Sequence, residues 1–370
     1  LGFFMLNKAL NFANQWALQK VSRDWIDYIA SNTMTDFNRW FNDFIWTYDL
    51  KAMVTAIETQ ADGVKTIHLL PNQHWKTYQA GQFVELVLEI DGQPHHRYYS
   101  LSPMTTKGTF SITVKKQADG VVSSYLTEQL QVGQSVRLNL PQGDFVYKQQ
   151  QKLLFICAGS GITPCYSIIS DLLAQNKAVD VAIYAQFSKQ KDVIFANSLK
   201  QQWPAQGVSV EVAFTQETDS QHWLLTAENL LVQYPDLLER DVYLCGPTGF
   251  MDNMINALVA ANFNLAKLHC ERFVTVENTE SGNLDFKVVQ PSIYFKHLNQ
   301  HIQLTTEDEG KSLLQIARQY GVNLESGCQK GMCGTCKLTL KEGKIAGNQL
   351  GNAVYLCTSY PDSAKIVLDA

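Results

Sequence analysis

Hydrophobic and polar positions change their period three times along this chain. Within residues 1–50, Val21, Trp25, Tyr28 and Ile29 recur at helical spacing. Phe37, Trp40, Phe41 and Phe44 do the same behind Thr35, a candidate N-cap, so two amphipathic helices are expected. From about 51 to 149 short alternating runs take over: "KAMVTAIETQ", "VKTIHLL", "QFVELVLEI", "HHRYYSLSP", "TFSITVKK" and "QSVRLNLP". Glycine and proline punctuate them, which predicts a small antiparallel barrel interrupted by one helix at 120–130. Between 150 and 275 apolar strands alternate with helices, among them "DVIFANSLKQQW", as in a parallel sheet with crossover helices. A polar linker is expected at 276–289. Residues 290–370 then return to strands ("SIYFKHLNQHIQL", "KLTLKEGKI", "AKIVLD") around one helix, "SLLQIARQYG". The chain is therefore multidomain, with a helical leader (1–50), a β-barrel (51–149), an α/β domain (150–275) and a final α+β domain (290–370).

Composition narrows the function classes. A length of 370 residues exceeds what one hydrophobic core supports, and a net charge of -5 offers no basic surplus for a nucleic-acid partner. No apolar run reaches the eighteen or so residues of a spanning helix, and the first residues lack the pattern of a secretory signal. Eight cysteines, half of them in one short loop system, suit metal or redox work in a reducing compartment, so a cytoplasmic location is expected. Four of the seven tryptophans (Trp16, Trp25, Trp40 and Trp46) lie in the leader. That face either packs on the next domain or makes peripheral contact with the cytoplasmic membrane face.

The sharpest chemical signal is "ESGCQKGMCGTCK". Cys328, Cys333 and Cys336 are spaced C-x4-C-x2-C, and Cys357 follows further on, the plant-type arrangement for a [2Fe-2S] cluster. Two irons need four thiolates, and Gly327, Gly331 and Gly334 let the backbone wrap closely around the sulfides. A zinc site normally has paired C-x2-C units, of which one is present; zinc and unliganded thiols remain the alternatives. Residues 290–370 resemble a plant-type ferredoxin domain, a β-grasp fold. They carry eight Lys/Arg against seven Asp/Glu and so lack the acidic face of free ferredoxins. Their expected electron donor is the rest of the same chain.

"RYYS" at 97–100 and "GVVS" at 120–123 together resemble the FAD-binding half of the ferredoxin–NADP reductase superfamily. The resemblance implies that Arg97 neutralises the flavin diphosphate, Tyr99 lies against the isoalloxazine ring and Ser100 bonds near N5. It also implies that the amides of Val121, Val122 and Ser123, after Gly120, meet phosphate at a helix N-terminus. The diphosphate motif favours FAD over FMN. "AGSGITP" at 158–164 and "CGP" at 245–247 match the nucleotide half of the same superfamily. The implied contacts are Gly159, Gly161, Thr163, Pro164, Gly246 and Pro247. Pro164 is expected to open the helix, with Cys245 beside the nicotinamide C4 and Glu271 of "HCERF" near the nicotinamide pocket. Ser188, Lys189 and Lys191 are placed to hold a 2′-phosphate, favouring NADPH over NADH, since no acidic residue directly follows that strand to grip a free 2′-hydroxyl.

The resemblance thus implies a reductase that passes electrons from NADPH through FAD and the cluster to an oxygenase or desaturase. The aromatic leader and "HLLPNQHW" are most like bacterial reductases of membrane di-iron fatty-acyl desaturases. A Rieske ring-hydroxylating oxygenase is the alternative acceptor. A redox sensor, and a hydroxylase or nitric oxide dioxygenase carrying a similar module, are weaker readings: no DNA-binding element is present, and the eight histidines are scattered apart from His95–His96.

Overall fold

In the computed structural model the alternating runs of the first half close into a six-stranded antiparallel barrel. The residues described are 42–45, 47–103, 108–118, 120–217, 224–273, 291–326, 331 and 334–370, with residues 16, 20–22 and 25. They form two units, Leu1–His269 and Cys270–Ala370, each taken by itself below. The expected leader helices, apart from a few positions, and the 276–289 linker lie outside the described residues. Trp16 and Trp25, which are described, are exposed.

The barrel strands are β1 (Lys51–Ala61), β2 (Val64–Pro71), β3 (Phe83–Ile90), β4 (Gln93–Ser102), β5 (Phe110–Lys115) and β6 (Ser135–Leu138). Their order around the barrel is β1-β2-β5-β4-β3-β6, and β6 returns to β1 with Met53 opposite Ser135. Inward positions Ile67, Leu69, Leu86, Leu101, Phe110 and Ile112 are fully or almost fully buried, as strand alternation requires. Trp75 stacks on Phe110 at 4.5 Å between ring centroids. The single helical interruption is α1 (Val121–Ser124), which continues as a wider π turn through Tyr125–Gln129. Residues just before β1 belong to the barrel as well. Phe44 is buried with Met53 and Leu70, Asn72 Nδ2 donates to Asp49 O (2.9 Å), and Gln73 Nε2 donates to Ile45 O (2.6 Å).

The second sheet holds β7 (Lys152–Ala158), β8 (Asp180–Phe187), β9 (Ser209–Phe214), β10 (Asp241–Cys245) and β11 (Leu268–Glu271), in the order β11-β10-β7-β8-β9. The pairs β10–β7, β7–β8 and β8–β9 are parallel. Covered on both faces, these strands read as near-continuous apolar runs. The helices α2 (Ile162–Ala174) and α3 (Thr248–Ala260) follow β7 and β10. One expectation needs correcting. "DVIFANSLKQQW" is helical only from Ala196, in one continuous run to Ala205 that widens to a π turn at Ser198–Gln202, while Asp192 closes a 3-10 turn (Gln190–Asp192). Phe195 adopts a positive φ of 57, a left-handed backbone that keeps the helix from starting before Ala196.

One hydroxyl pins α2 to the barrel. Ser167 Oγ donates to Leu101 O (2.5 Å) and accepts from Gly81 N (3.1 Å), with all three residues buried. Gly81 has φ +95, and a Cβ there would lie 1.9 Å from Phe145 O. The seam between barrel and sheet is therefore closely fitted.

Five tyrosines of this unit are held protonated above their usual range. Burial, as the largest cause, pushes Tyr99 and Tyr184 up to about 12 and Tyr78, Tyr234 and Tyr243 higher still. Raised folded-state values add stability that is fully present below about pH 10, where unfolded tyrosine titrates, and is lost as pH rises through the folded values. The melting temperature of this unit is therefore expected to hold from pH 8 to 9.5 and to fall between pH 10 and 12, with tyrosinate absorbance at 295 nm appearing together with unfolding. Tyrosinate appearing near pH 10 in the still-folded protein would contradict it.

The second unit is a six-stranded mixed sheet. Its strands are β12 (Ser292–Phe295), β13 (Gln300–Gln303), β14 (Lys337–Glu342), β15 (Ile345–Leu350), β16 (Ala353–Pro361) and β17 (Lys365–Asp369), ordered β13-β12-β17-β14-β16-β15. The helix α4 (Leu313–Gln319) opens on a capping box between Ser312 and Gln315 and buries Leu313, Leu314 and Ile316 against the sheet core. Two sequence expectations shift here. "KLTLKEGKI" is not one strand but two, β14 and β15, which part at Gly343 (φ +100) and pair with β16 and not with each other. Cys357 sits within strand β16, not in a loop.

Candidate electron-transfer sites

Strand alternation sorts the "RYYS" residues. Arg97 is exposed on β4, Tyr99 is half-buried against the barrel core, and Ser100 is buried. Among the described residues Arg97 makes no ion pair; its guanidinium donates to the neighbouring His96 O at 2.8 Å. The helix start after Gly120 has no side-chain cap, so its first amides keep their donor capacity for an anion. A Cβ on Gly120 would lie 2.3 Å from Ser123 Oγ. That hydroxyl accepts from Gln117 N and donates to Gly120 O, both at 3.1 Å, so Ser123 braces the turn with its side chain and has its backbone left for a ligand. Val121 is 51% exposed and Val122 is buried. A free cation, uncapped amides and a turn tightened by glycine fit a flavin diphosphate.

Barrel and sheet meet at the residues predicted to face the two redox partners. Thr163 Oγ1, on the second residue of α2, donates to Ser100 Oγ at 3.2 Å, and both side chains are buried. The turn Gly159–Gly161 joins β7 to α2, with Gly159 at φ +55. Gly161 is demanded by contact: a Cβ would lie 2.3 Å from Cys245 O. Gly246 is similarly tight, 2.8 Å from a Phe250 ring carbon by the same construction. Cys245 ends β10 opposite Cys157 of β7 and is fully buried. Pro247, exposed, is the N-cap of α3. The helix α2 begins at Ile162, so Pro164 is its third residue and not its first; the N–H that proline lacks is still among those with no intrahelical partner. Glu271, buried, ends the edge strand β11.

The loop after β8 holds Ser188, half-buried, with Lys189 and Lys191 exposed. It also holds a residue that sequence reasoning missed. Glu217 Oε1, from the segment after β9, accepts from Gln190 N at 2.6 Å. Two cations therefore share the loop with two carboxylates, Glu217 and Asp192. Sequence distance hid the partner, because 27 residues separate Glu217 from Gln190.

Of the four cysteines in the loop system, Cys336 and Cys357 are described, and their sulfurs lie 3.2 Å apart. Gly331 N donates to Cys357 Sγ at 3.1 Å. Cys328, Cys333 and Gly327 lie outside the described residues. Two convergent soft thiols with a backbone amide aimed at one of them match the donor set of an iron–sulfur cluster. Gly334 has φ +74, a left-handed position that suits glycine.

Comparison with known proteins agrees segment by segment. Residues 54–147 match the family of oxidoreductase FAD-binding domains, 155–255 that of oxidoreductase NAD-binding domains, and 296–362 that of 2Fe-2S iron-sulfur cluster binding domains. A glycine betaine monooxygenase reductase subunit from Chromohalobacter salexigens is 28% identical over 72% of this chain and 78% of its own length. An NADPH oxidoreductase from Mycobacterium tuberculosis is 28% identical over 87% of this chain and 84% of its own. Phthalate dioxygenase reductase, described as a modular structure for electron transfer from pyridine nucleotides to [2Fe-2S], shares the fold. Its TM-score is 0.54 at 19% identity, over 87% of this chain and 98% of that one.

Proposed function

We propose, for a chain that belongs to the ferredoxin–NADP reductase superfamily as a flavoprotein fused to a C-terminal [2Fe-2S] ferredoxin domain, that it is the reductase component of an oxygenase of the Rieske type. The chain is an oxidoreductase with FAD, NAD(P)H and a [2Fe-2S] cluster as cofactors. The observation that carries the proposal is the succession of flavin, nucleotide and cluster domains within one chain. Hydride donors move two electrons and a cluster takes one, and a flavin is the group that supplies that conversion. The names of the relatives support an oxygenase acceptor. They do not support the membrane desaturase expected from the leader, and among the described residues no helix is long and apolar enough to cross a membrane.

Within this reading the chain's residues have separate tasks. Arg97 and the amides of 121–123 bind the diphosphate, while Tyr99 packs along the ring. Thr163 orients Ser100 at the junction where the nicotinamide enters. Gly161 and Gly246 keep the strand ends close enough for Cys245 to line that entrance, and Glu271 is assigned to the same pocket. Cys328, Cys333, Cys336 and Cys357 hold the irons. A cytoplasmic location suits cysteines kept reduced for a cluster.

NADPH is the proposed donor, held through its 2′-phosphate by Ser188, Lys189 and Lys191. Glu217 limits that preference by bringing a carboxylate to the same loop. The test is an anaerobic absorbance titration with NADPH and then NADH, repeated on Glu217→Gln. Either nucleotide is expected to bleach both flavin and cluster bands, with NADPH saturating first. Removing the carboxylate should widen the NADPH preference by roughly tenfold, the worth of one charge contact of about 1.4 kcal/mol. An iron-free protein, or one that ignores both nucleotides, would end the functional reading; an unchanged preference in Glu217→Gln would end the assignment of that residue alone.

A further inference from the structure

We propose that Asn348 is a positioning residue for the iron–sulfur centre, holding Gly331 so that its N–H stays on the Cys357 sulfur and thereby raising the reduction potential. This rests on Cys357 being a cluster ligand. Gly331 is fixed on both sides of its Cα: its N–H donates to Cys357 Sγ (3.1 Å), and its carbonyl accepts from Asn348 Nδ2 (3.0 Å). Gly331 has φ +70, and a Cβ there would lie 2.6 Å from both Asn348 Nδ2 and Thr358 Oγ1, so no other residue type fits between them. Asn348 is 6% exposed.

The fold explains why a strand residue points at this loop. Between the pairs Gly347–Ser359 and Gln349–Val354 one residue of β15, Asn348, faces four of β16, so β16 bulges opposite Asn348. Gly347 has φ +98, and a Cβ there would strike Thr358 O at 2.2 Å. The bulged segment of β16 carries Cys357, so Asn348 lies across from the irregularity that holds the sulfur. The Asn348 carbonyl is tied down in turn, accepting from the fully buried Ser359 Oγ at 2.9 Å. The amide is therefore held by a rigid support and not by the loop alone.

A hydrogen bond to a ligand sulfur favours the more negative, reduced state, and such bonds are among the features that set cluster potentials. Asn348→Ala removes the donor that holds the peptide, and Asn348→Asp keeps the shape while replacing that donor with an acceptor. Both are to be made in the full-length chain and titrated with redox mediators, following the cluster by its EPR signal and the flavin by absorbance. At a fixed potential the reduced-to-oxidised ratio of the cluster is expected to fall about tenfold in each variant, about 59 mV for one electron. Iron content and the flavin potential are expected to stay unchanged. Full iron with an unmoved cluster potential in both variants would overturn the proposal. Loss of iron from both would also overturn it, because Asn348 would then be needed for assembly and not for tuning. An iron-free parent chain would instead count against the reading of the cysteines.

Discussion

Cys357→Ser is expected to separate the two halves of the relay. Reduction of cytochrome c by NADPH should fall about 100-fold or more, since losing a direct thiolate ligand exceeds the 10–100-fold typical of its supporting contacts. Oxidation of NADPH by ferricyanide, which can draw electrons from the flavin directly, should stay within about twofold of the parent. Serine is nearly the size of cysteine, so a packing explanation is weak here, and the oxygen is a poor match for the soft thiolate chemistry that clusters require. Stopped-flow absorbance and iron analysis on the same preparation check both halves. Equal loss of both activities would show that Cys357 supports the whole fold; unchanged cytochrome c reduction would remove the cluster from the path.

Gly161→Ala is expected to be the most damaging small change in the nucleotide half. Its Cβ would meet backbone on every near side, 2.3 Å from Cys245 O and 2.7 Å from Gly246 N, and a strand end cannot swing away as a side-chain tip can. Overpacking of this kind costs about 1–3 kcal/mol, and a unit of this size loses roughly 2–4 °C of melting temperature per kcal/mol. A drop of about 2–12 °C follows, together with at least a tenfold rise in KM for NADPH as the turn is pushed off its position. Gly159→Ala is the control. That glycine has φ +55 but open space around its missing Cβ, so the change costs only the left-handed strain of about 1–2 kcal/mol. If both variants melt alike, contact with β10 is not what demands glycine at 161.

The parts legible in the sequence were those whose chemistry is local. A parallel sheet announces itself in apolar runs such as "KLLFICA", and a barrel in alternation such as "FVELVLEI". The cysteine spacing and the glycine-rich turn after β7 could be read because their residue types recur at short fixed intervals, although Cys357 and the Cys245 that crowds Gly161 lie further off. What stayed hidden depended on contacts between distant segments. Ser167 looks like any helix serine until Leu101 and Gly81 are brought to it. Glu217 has no reason to matter until β9 lies beside β8. Phe195, at φ 57, delays the start of the helix to Ala196, which its sequence spacing does not reveal. For Asn348 a signal was available: a lone glycine inside a strand, Gly347, marks a close backbone approach, here to Thr358 O, and Asn348 is its neighbour.

The tethering of residues 42–50 bears on how the leader can be tested at all. Phe44 fills a buried site with Met53 and Leu70, and the carbonyls of Ile45 and Asp49 take up the side-chain amides of Gln73 and Asn72. A truncation made at the composition boundary near residue 50 would uncover that pocket, strand two buried donors and damage the flavin barrel, mimicking the loss of a docking arm. Only a cut placed ahead of Asn42 leaves the plug in its socket, so that any lost electron delivery reports on the aromatic segment itself.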